Sequence, residues 1–248
     1  MHDTRVALVT GGMGGLGTAI CRRLQAEGFR VATTFSPSNT APDAWLSAQR
    51  DECYRFSAYK VDVSDYADCE WMVQKLLAEM GRLDVLVNNA GITRDRSLRK
   101  MSVEDWQAVL RADLDSVFNM CRQAIEPMMA QRWGRIVNIS SVNGQQGAFG
   151  QVNYSAAKAG MHGFTKALAL EMARHNITVN TVSPGYLRTK MVDAVPADVM
   201  QGKILPQIPV GRLGEPDEVA ALVAYLTTED AGFMTGANLA INGGQHMY

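Results

Sequence analysis

Two side chains four residues apart, Tyr154 and Lys158 in Tyr-Ser-Ala-Ala-Lys, have the spacing to act as one chemical unit. On a helix they project from one face and can reach a shared ligand. A tyrosine hydroxyl is a poor acid at neutral pH, with a free pKa of about 10. An ammonium beside it stabilises the phenolate, so that the hydroxyl can give and take a proton. That spacing is common on protein surfaces, and it gains weight from a second feature, Thr10-Gly11-Gly12-Met13-Gly14-Gly15-Leu16-Gly17. A strand-forming apolar run, residues 5–9, precedes this loop, and residues 18–24 follow it with apolar side chains at helical spacing. Strand, glycine turn and helix in that order set backbone N–H groups and a helix N-terminus where a pyrophosphate can sit. Glycine is needed there because a side chain would block the phosphates or forbid the dihedrals.

The elements that must hold these residues follow from the rest of the chain. Strand-like runs at 6–10, 31–34, 59–61, 85–88, 136–140, 178–182 and 239–241 alternate with amphipathic segments. The clearest of those are 66–80, 103–111, 117–131, 153–173 and 217–226. Such alternation predicts right-handed crossovers and an α/β fold, a doubly wound parallel sheet of about seven strands flanked by helices. Ligands in such a sheet bind beyond the carboxyl ends of the strands. The proline-punctuated segment 186–209, with Pro196, Pro206 and Pro209, interrupts the alternation at that edge and reads as a small substrate lid.

Length and composition set the outer bounds. The 248 residues, 47% hydrophobic and 20% charged, suit one dinucleotide-binding catalytic domain over 1–248. A net charge of -1 gives no general attraction to nucleic acid or to an anionic membrane. No apolar run is long enough to span a bilayer, and no signal peptide is expected ahead of the first strand. Cys21, Cys53, Cys69 and Cys121 are scattered and read as free thiols, which suits a cytoplasmic protein. His2, His162, His175 and His246 lack metal-ligand spacing, so no metal is expected. His162 reads as an ordinary helix residue.

The glycine pattern Gly11-x-x-x-Gly15-x-Gly17 combines with Asn88-Asn89-Ala90-Gly91, Ser140-Ser141, Tyr154-x-x-x-Lys158 and Pro184-Gly185. Taken in that order over essentially the whole chain, these motifs resemble the short-chain dehydrogenase/reductase family. The resemblance implies a Rossmann-type sheet and an NADH- or NADPH-dependent reductase. It implies that Ser141, thirteen positions before the tyrosine, hydrogen-bonds the substrate carbonyl, while Ser140 bonds locally at the strand end. Tyr154 would be the general acid, and Lys158 would hold the nicotinamide ribose. The family's fourth catalytic residue, an asparagine acting mainly through its backbone carbonyl, falls here on Asp113. An asparagine is therefore expected to be tolerated at 113. Cofactor contacts carry over to Gly11, Gly12, Met13, Gly15, Leu16, Gly17, Asp62, Val63, Asn89, Ala90, Gly91, Pro184, Gly185 and Thr189, with Asn88 supporting the sheet.

Further runs, among them residues 91–95, 99–101, 138–145, 149–154 and 242–247, resemble the acetoacetyl-CoA reductases of polyhydroxybutyrate synthesis. They imply reduction of acetoacetyl-CoA, or another short 3-oxoacyl-CoA, to the (R)-3-hydroxyacyl thioester. The alternatives are a 3-oxoacyl-[acyl-carrier-protein] reductase and, more remotely, a non-catalytic dinucleotide-binding regulator. Arg94, Arg96, Arg99 and Lys100 crowd one loop, with Arg188 and Lys190 on the lid, and arginine clusters suit the phosphates of an acyl-CoA. Candidate substrate contacts are Arg94, Asp95, Arg99, Lys100, Phe149, Gln151 and Tyr186. The family resemblance also implies a homotetramer. After the second strand, residues 34–42 carry no basic side chain for an adenosine 2′-phosphate and no aspartate to repel it, while Ser36, Ser38, Asn39 and Thr40 can hydrogen-bond either the free hydroxyl or the phosphate. NADH is therefore expected to be accepted and preferred, with NADPH usable.

Overall fold

The structure, a computed structural model, describes residues 4–189 and 197–247. Among them, seven strands form one parallel sheet in the order β3-β2-β1-β4-β5-β6-β7. These are β1 (Val6–Val9), β2 (Arg30–Phe35), β3 (Phe56–Lys60), β4 (Val85–Asn88), β5 (Gly134–Ile139), β6 (Ile177–Pro184) and β7 (Asn238–Ile241). The helices are α1 (Gly15–Ala26), α2 (Pro42–Asp51), α3 (Tyr66–Met80), α4 (Val103–Leu110), α5 (Ser116–Gln131), α6 (Val142–Gln146), α7 (Val152–Met172) and α8 (Pro216–Leu226). Strand order reverses between β1 and β4, which leaves a crevice at their carboxyl ends. This is the doubly wound parallel sheet that the alternating pattern predicts, of the Rossmann type that the resemblance implies.

Side-chain alternation along each strand divides the core into two layers. Val6 and Leu8 face a cluster with Met72 and Leu76 of α3, Met120 and Ala124 of α5, and Met161 and Ala169 of α7. Ala7 and Val9 face the opposite layer, with Ile20 and Leu24 of α1 and Val219 and Val223 of α8. Both sheet faces are thus covered, as parallel strands require.

Several boundaries differ from the expected ones for physical reasons. β3 begins three residues earlier, because this edge strand is only half-buried and its apolar signal is weak. β6 is longer at both ends: Asn180, Thr181 and Ser183 are buried yet bonded to Met234 O, Thr165 Oγ1 and Asn238 Oδ1. α2 is polar on balance and Gln49 is its one buried residue, so its apolar signal is weak. Between α4 and α5 the chain remains helical through one π turn, Arg111–Asp115. Of the expected lid, residues 190–196, including Lys190 and Pro196, lie outside the described residues. Among the described residues no helix is long and apolar enough to cross a membrane.

Candidate active site

β1 delivers the glycine loop to the crevice. Gly11 has φ +64°, a conformation that L side chains rarely adopt, and a Cβ there would stand 3.0 Å from Ala90 Cα. At Gly17 a Cβ would lie 2.5 Å from Gly11 O, so the loop folds against the first turn of α1. Thr10 latches the loop to the end of β4: its hydroxyl accepts from Asn89 N and Ala90 N, both at 3.0 Å. Asn89 Nδ2 returns a bond to Thr10 O at 2.9 Å. From β2, Thr34 Oγ1 accepts from Gly11 N at 3.1 Å and Thr33 Oγ1 from Gly12 N at 3.0 Å. Neither threonine was among the expected site residues, since only their strand pairing turns them toward the loop. Gly14, the N-cap of α1, supplies no side-chain acceptor for that helix's first N–H groups. A diphosphate is the anion such a helix end can take.

A cleft of about 1430 Å³ opens here, walled by Gly11, Met13, Gly15, Leu16, Gly17, Ser36, Asp62, Val63, Asn89, Ala90, Gly91 and Thr189. These expected contacts come from the ends of five strands, β1, β2, β3, β4 and β6, and converge on one hollow. Trp45 and Arg111 also line it and had no motif to betray them, and Arg22, the first cation of the run after the glycine loop, joins them. Asn39 adjoins the loop, donating from Nδ2 to Met13 Sδ at 3.3 Å. Gly12 supports from behind, where a Cβ would collide with Thr33 Oγ1. Pro184 ends β6, and Gly185 N donates to Ile241 O at 3.0 Å.

Ser141 is the N-cap of α6, its Oγ accepting from Asn143 N at 3.1 Å. That bond uses a lone pair and leaves the O–H free to donate. α6 lies tight on α7: a Cβ at Gly144 would stand 2.9 Å from the Lys158 backbone carbon. The neighbouring Ser140 does not bond locally as expected. Its Oγ donates to Lys158 O at 2.8 Å and meets His162 Nε2 at 3.0 Å. His162 is thus more than a packing residue, and burial pushes its pKa below the ordinary value.

Tyr154 and Lys158 lie in the first two turns of α7, the ammonium 5.5 Å from the tyrosine ring centroid. Lys158 is 4% exposed and donates from Nζ to Ile139 O at 3.1 Å. Asp113 projects from the π turn to within 3.2 Å of that Nζ. Its carboxyl is held above the usual carboxylate range by burial, which the Lys158 charge opposes. The π turn offsets the helical register by about one residue relative to an α-helix, as such bulges do at functional sites.

The expected substrate residues divide. Gln151 bridges the site, accepting from Asn143 Nδ2 and donating to Asp95 Oδ2, each at 2.9 Å. Asn153, buried beside Tyr154, ties the 91–100 loop to α7 by donating to Arg94 O at 3.1 Å. Arg94 lines the cleft. Arg99 and Lys100, exposed like Arg94, lie outside that lining on a short 3-10 turn, Leu98–Lys100. Phe149 is 97% exposed beside Gln151, and Tyr186 borders a smaller cavity of about 150 Å³ with Ile208 and Asn242. Arg188 is engaged by Glu215 at 2.9 Å.

The fold and this cradle define a dinucleotide-dependent oxidoreductase, and the chain belongs to the family of short chain dehydrogenases, whose model matches residues 5–199. Its cofactor is a nicotinamide dinucleotide. The chain is 53% identical to the acetoacetyl-CoA reductase of Cupriavidus necator over 243 residues, covering 98% of both chains. It is 51% identical to nodulation protein G of Azospirillum brasilense, over 97% of both. Identity to the 3-oxoacyl-[acyl-carrier-protein] reductase FabG of Escherichia coli is 43%, over 99% of this chain and 98% of that one.

Proposed function

We propose that the whole chain acts as one catalytic unit that reduces acetoacetyl-CoA, or a similarly short 3-oxoacyl-CoA, to the (R)-3-hydroxyacyl thioester. The likeness to acetoacetyl-CoA reductases along nearly the full chain carries this reading. The dinucleotide, when bound, supplies the hydride. Ser141, with its O–H free to donate, hydrogen-bonds the 3-oxo group and steadies the charge that develops there. Tyr154 gives the proton to that oxygen. Lys158 holds ribose hydroxyls with its ammonium and stabilises the phenolate left after proton transfer. Asp113 acts from behind Lys158, and Arg94, Arg99 and Lys100 meet the phosphates of coenzyme A.

The carrier-protein reductase is the second reading, supported by 43% identity to a protein of that name. The two separate on one acyl group presented on two carriers. With acetoacetyl-CoA and acetoacetyl-carrier protein, kcat/KM should favour the CoA thioester; a preference for the carrier protein would install the second reading instead.

NADH is the preferred dinucleotide in this account. Ser36, Ser38 and Ala41 line the adenosine end of the cleft without a cation. The nearby Arg22 guanidinium is already bonded to Gln49 Oε1 at 2.8 Å and Glu52 Oε1 at 2.7 Å. A 2′-phosphate buried there unpaired would be costly. The ratio of kcat/KM for the two dinucleotides tests this, and Ala41→Arg should move it toward NADPH; a strong NADPH preference in the unaltered protein would refute it. A homotetramer also fits, with Phe118 of α5, Leu170 of α7 and Phe233 near the C-terminus exposed as apolar contacts between copies.

A further inference from the structure

A backbone N–H and an ammonium converge on the side chain at position 113. The backbone N–H of Ile92 donates to Asp113 Oδ1 at 2.8 Å, and the Lys158 ammonium forms an ion pair with Oδ2 at 3.2 Å, a charge contact that lacks the alignment of a hydrogen bond. The Asp113 side chain is 0% exposed and that of Lys158 4%. The carboxylate fills the space over Gly91, where a Cβ would lie 2.6 Å from Oδ2. A carboxylate offers one oxygen to each donor, whereas an amide has a single oxygen. Whichever way an amide turned, its NH₂ would face a donor and a buried polar group would go unpaired. Asparagine is thus the poorer fit here, and the geometry reverses the expectation that it would be tolerated.

Around this pair, α7 contributes Lys158, the Tyr154 ring and His162, whose ring meets Ser140. The 91–100 loop contributes the Ile92 N–H, with Arg94 and Asp95 exposed. β5 contributes the Ile139 carbonyl, and in the π turn Arg111 and Asp115 are exposed. Lys158 is the charged group that acts on the Asp113 carboxyl.

We propose that Asp113 is a built-in counterion of Lys158, a positioning residue that holds the ammonium between its own carboxylate and the Ile139 carbonyl. Its bearing on turnover rests on the reductase reading; the pairing itself does not. In turnover, the carboxylate offsets the ammonium's field at the tyrosine hydroxyl. Removing that negative charge in D113N should favour the phenolate, and should move the alkaline limb of the reduction pH profile to lower pH.

Urea unfolding of the full chain without cofactor provides the decisive test, on D113N, K158M and the double variant. D113N should lower the midpoint, since it leaves the ammonium short of an acceptor. K158M should lower it further, because it strands a buried carboxylate. Burial raises that carboxyl's pKa and the Lys158 charge opposes the rise, so K158M raises it further; the stability that goes with the protonated carboxyl is present at acidic pH and is lost as pH rises through the folded-state value. The deficit of K158M should therefore widen from acidic to neutral pH. The double variant should lose that pH dependence and unfold at higher urea than K158M. If K158M does not fold at neutral pH, recovery in acid or with D113N added supports the pairing, and failure of both rescues overturns it. A wild-type midpoint for D113N, or costs that simply add at every pH, would also overturn the counterion while leaving the reductase reading intact. A wild-type protein inactive on acetoacetyl-CoA would have the opposite effect.

Discussion

Tyr154 carries the proton in this account, so loss of its hydroxyl is the sharpest single change at the residue scale. Tyr154→Phe should lower turnover by roughly 10²–10⁴-fold, the usual contribution of a positioned general acid. Dinucleotide affinity, followed by fluorescence titration, should stay nearly unchanged. Lys158→Ala should damage both, because the proposed role of its one ammonium covers ribose and phenolate. Retention of more than about a tenth of the activity in Tyr154→Phe would assign the proton to another group. The tyrosine, the lysine and the glycines were legible because each motif is short and contiguous. The Asp113–Lys158 contact was not: the partners stand far apart in sequence, and only the packing of the π turn on α7 joins them. Thr33 and Thr34 escaped for a related reason, and Thr10 was read only as the start of the glycine loop, since a threonine at a strand end carries no sign of which backbone it will bond.

At the scale of elements, the site depends on how α7 meets the loop that follows β4. Asn153 and Gln151 fasten that loop at Arg94 and Asp95, and Arg96 N donates to Gly150 O at 2.8 Å. The loop's cations are thereby held beside the crevice. Neutralising Arg94, Arg99 or Lys100 should raise KM for acetoacetyl-CoA and spare kcat, because such contacts bind substrate and transition state alike. A short β-keto ester without coenzyme A should barely register the changes; equal effects on both would remove the loop's phosphate-reading role. Arg94, which lines the cleft, should matter more than Arg99 and Lys100, which are not among its lining residues. Amphipathic helices such as α3 could be read from sequence to the residue, since Met72, Val73 and Leu76 mark one buried face. The short α6 could not. Its start depends on Ser141 capping Asn143 N, and five residues are too few to show a period.

For the whole molecule, two apolar layers on a parallel sheet fix the crevice at the strand ends, and alternation of strands and helices foretold that much. Side chains left exposed on the finished subunit were harder to foresee, because exposure depends on the packing of distant elements. Phe118, Leu170 and Phe233 are among them. Sedimentation should give a particle of about four times the 27.1 kDa chain, and a lasting monomer at micromolar concentration would refute the tetramer. The most direct test of the central claim is simpler. Purified protein is mixed with acetoacetyl-CoA and NADH or NADPH, and oxidation of the dinucleotide is followed by its absorbance. Steady oxidation that depends on acetoacetyl-CoA, yields the (R)-3-hydroxy thioester and is abolished in Tyr154→Phe is the predicted result. Tight dinucleotide binding without turnover on either thioester carrier would contradict it, and would leave a protein that binds the cofactor without using it.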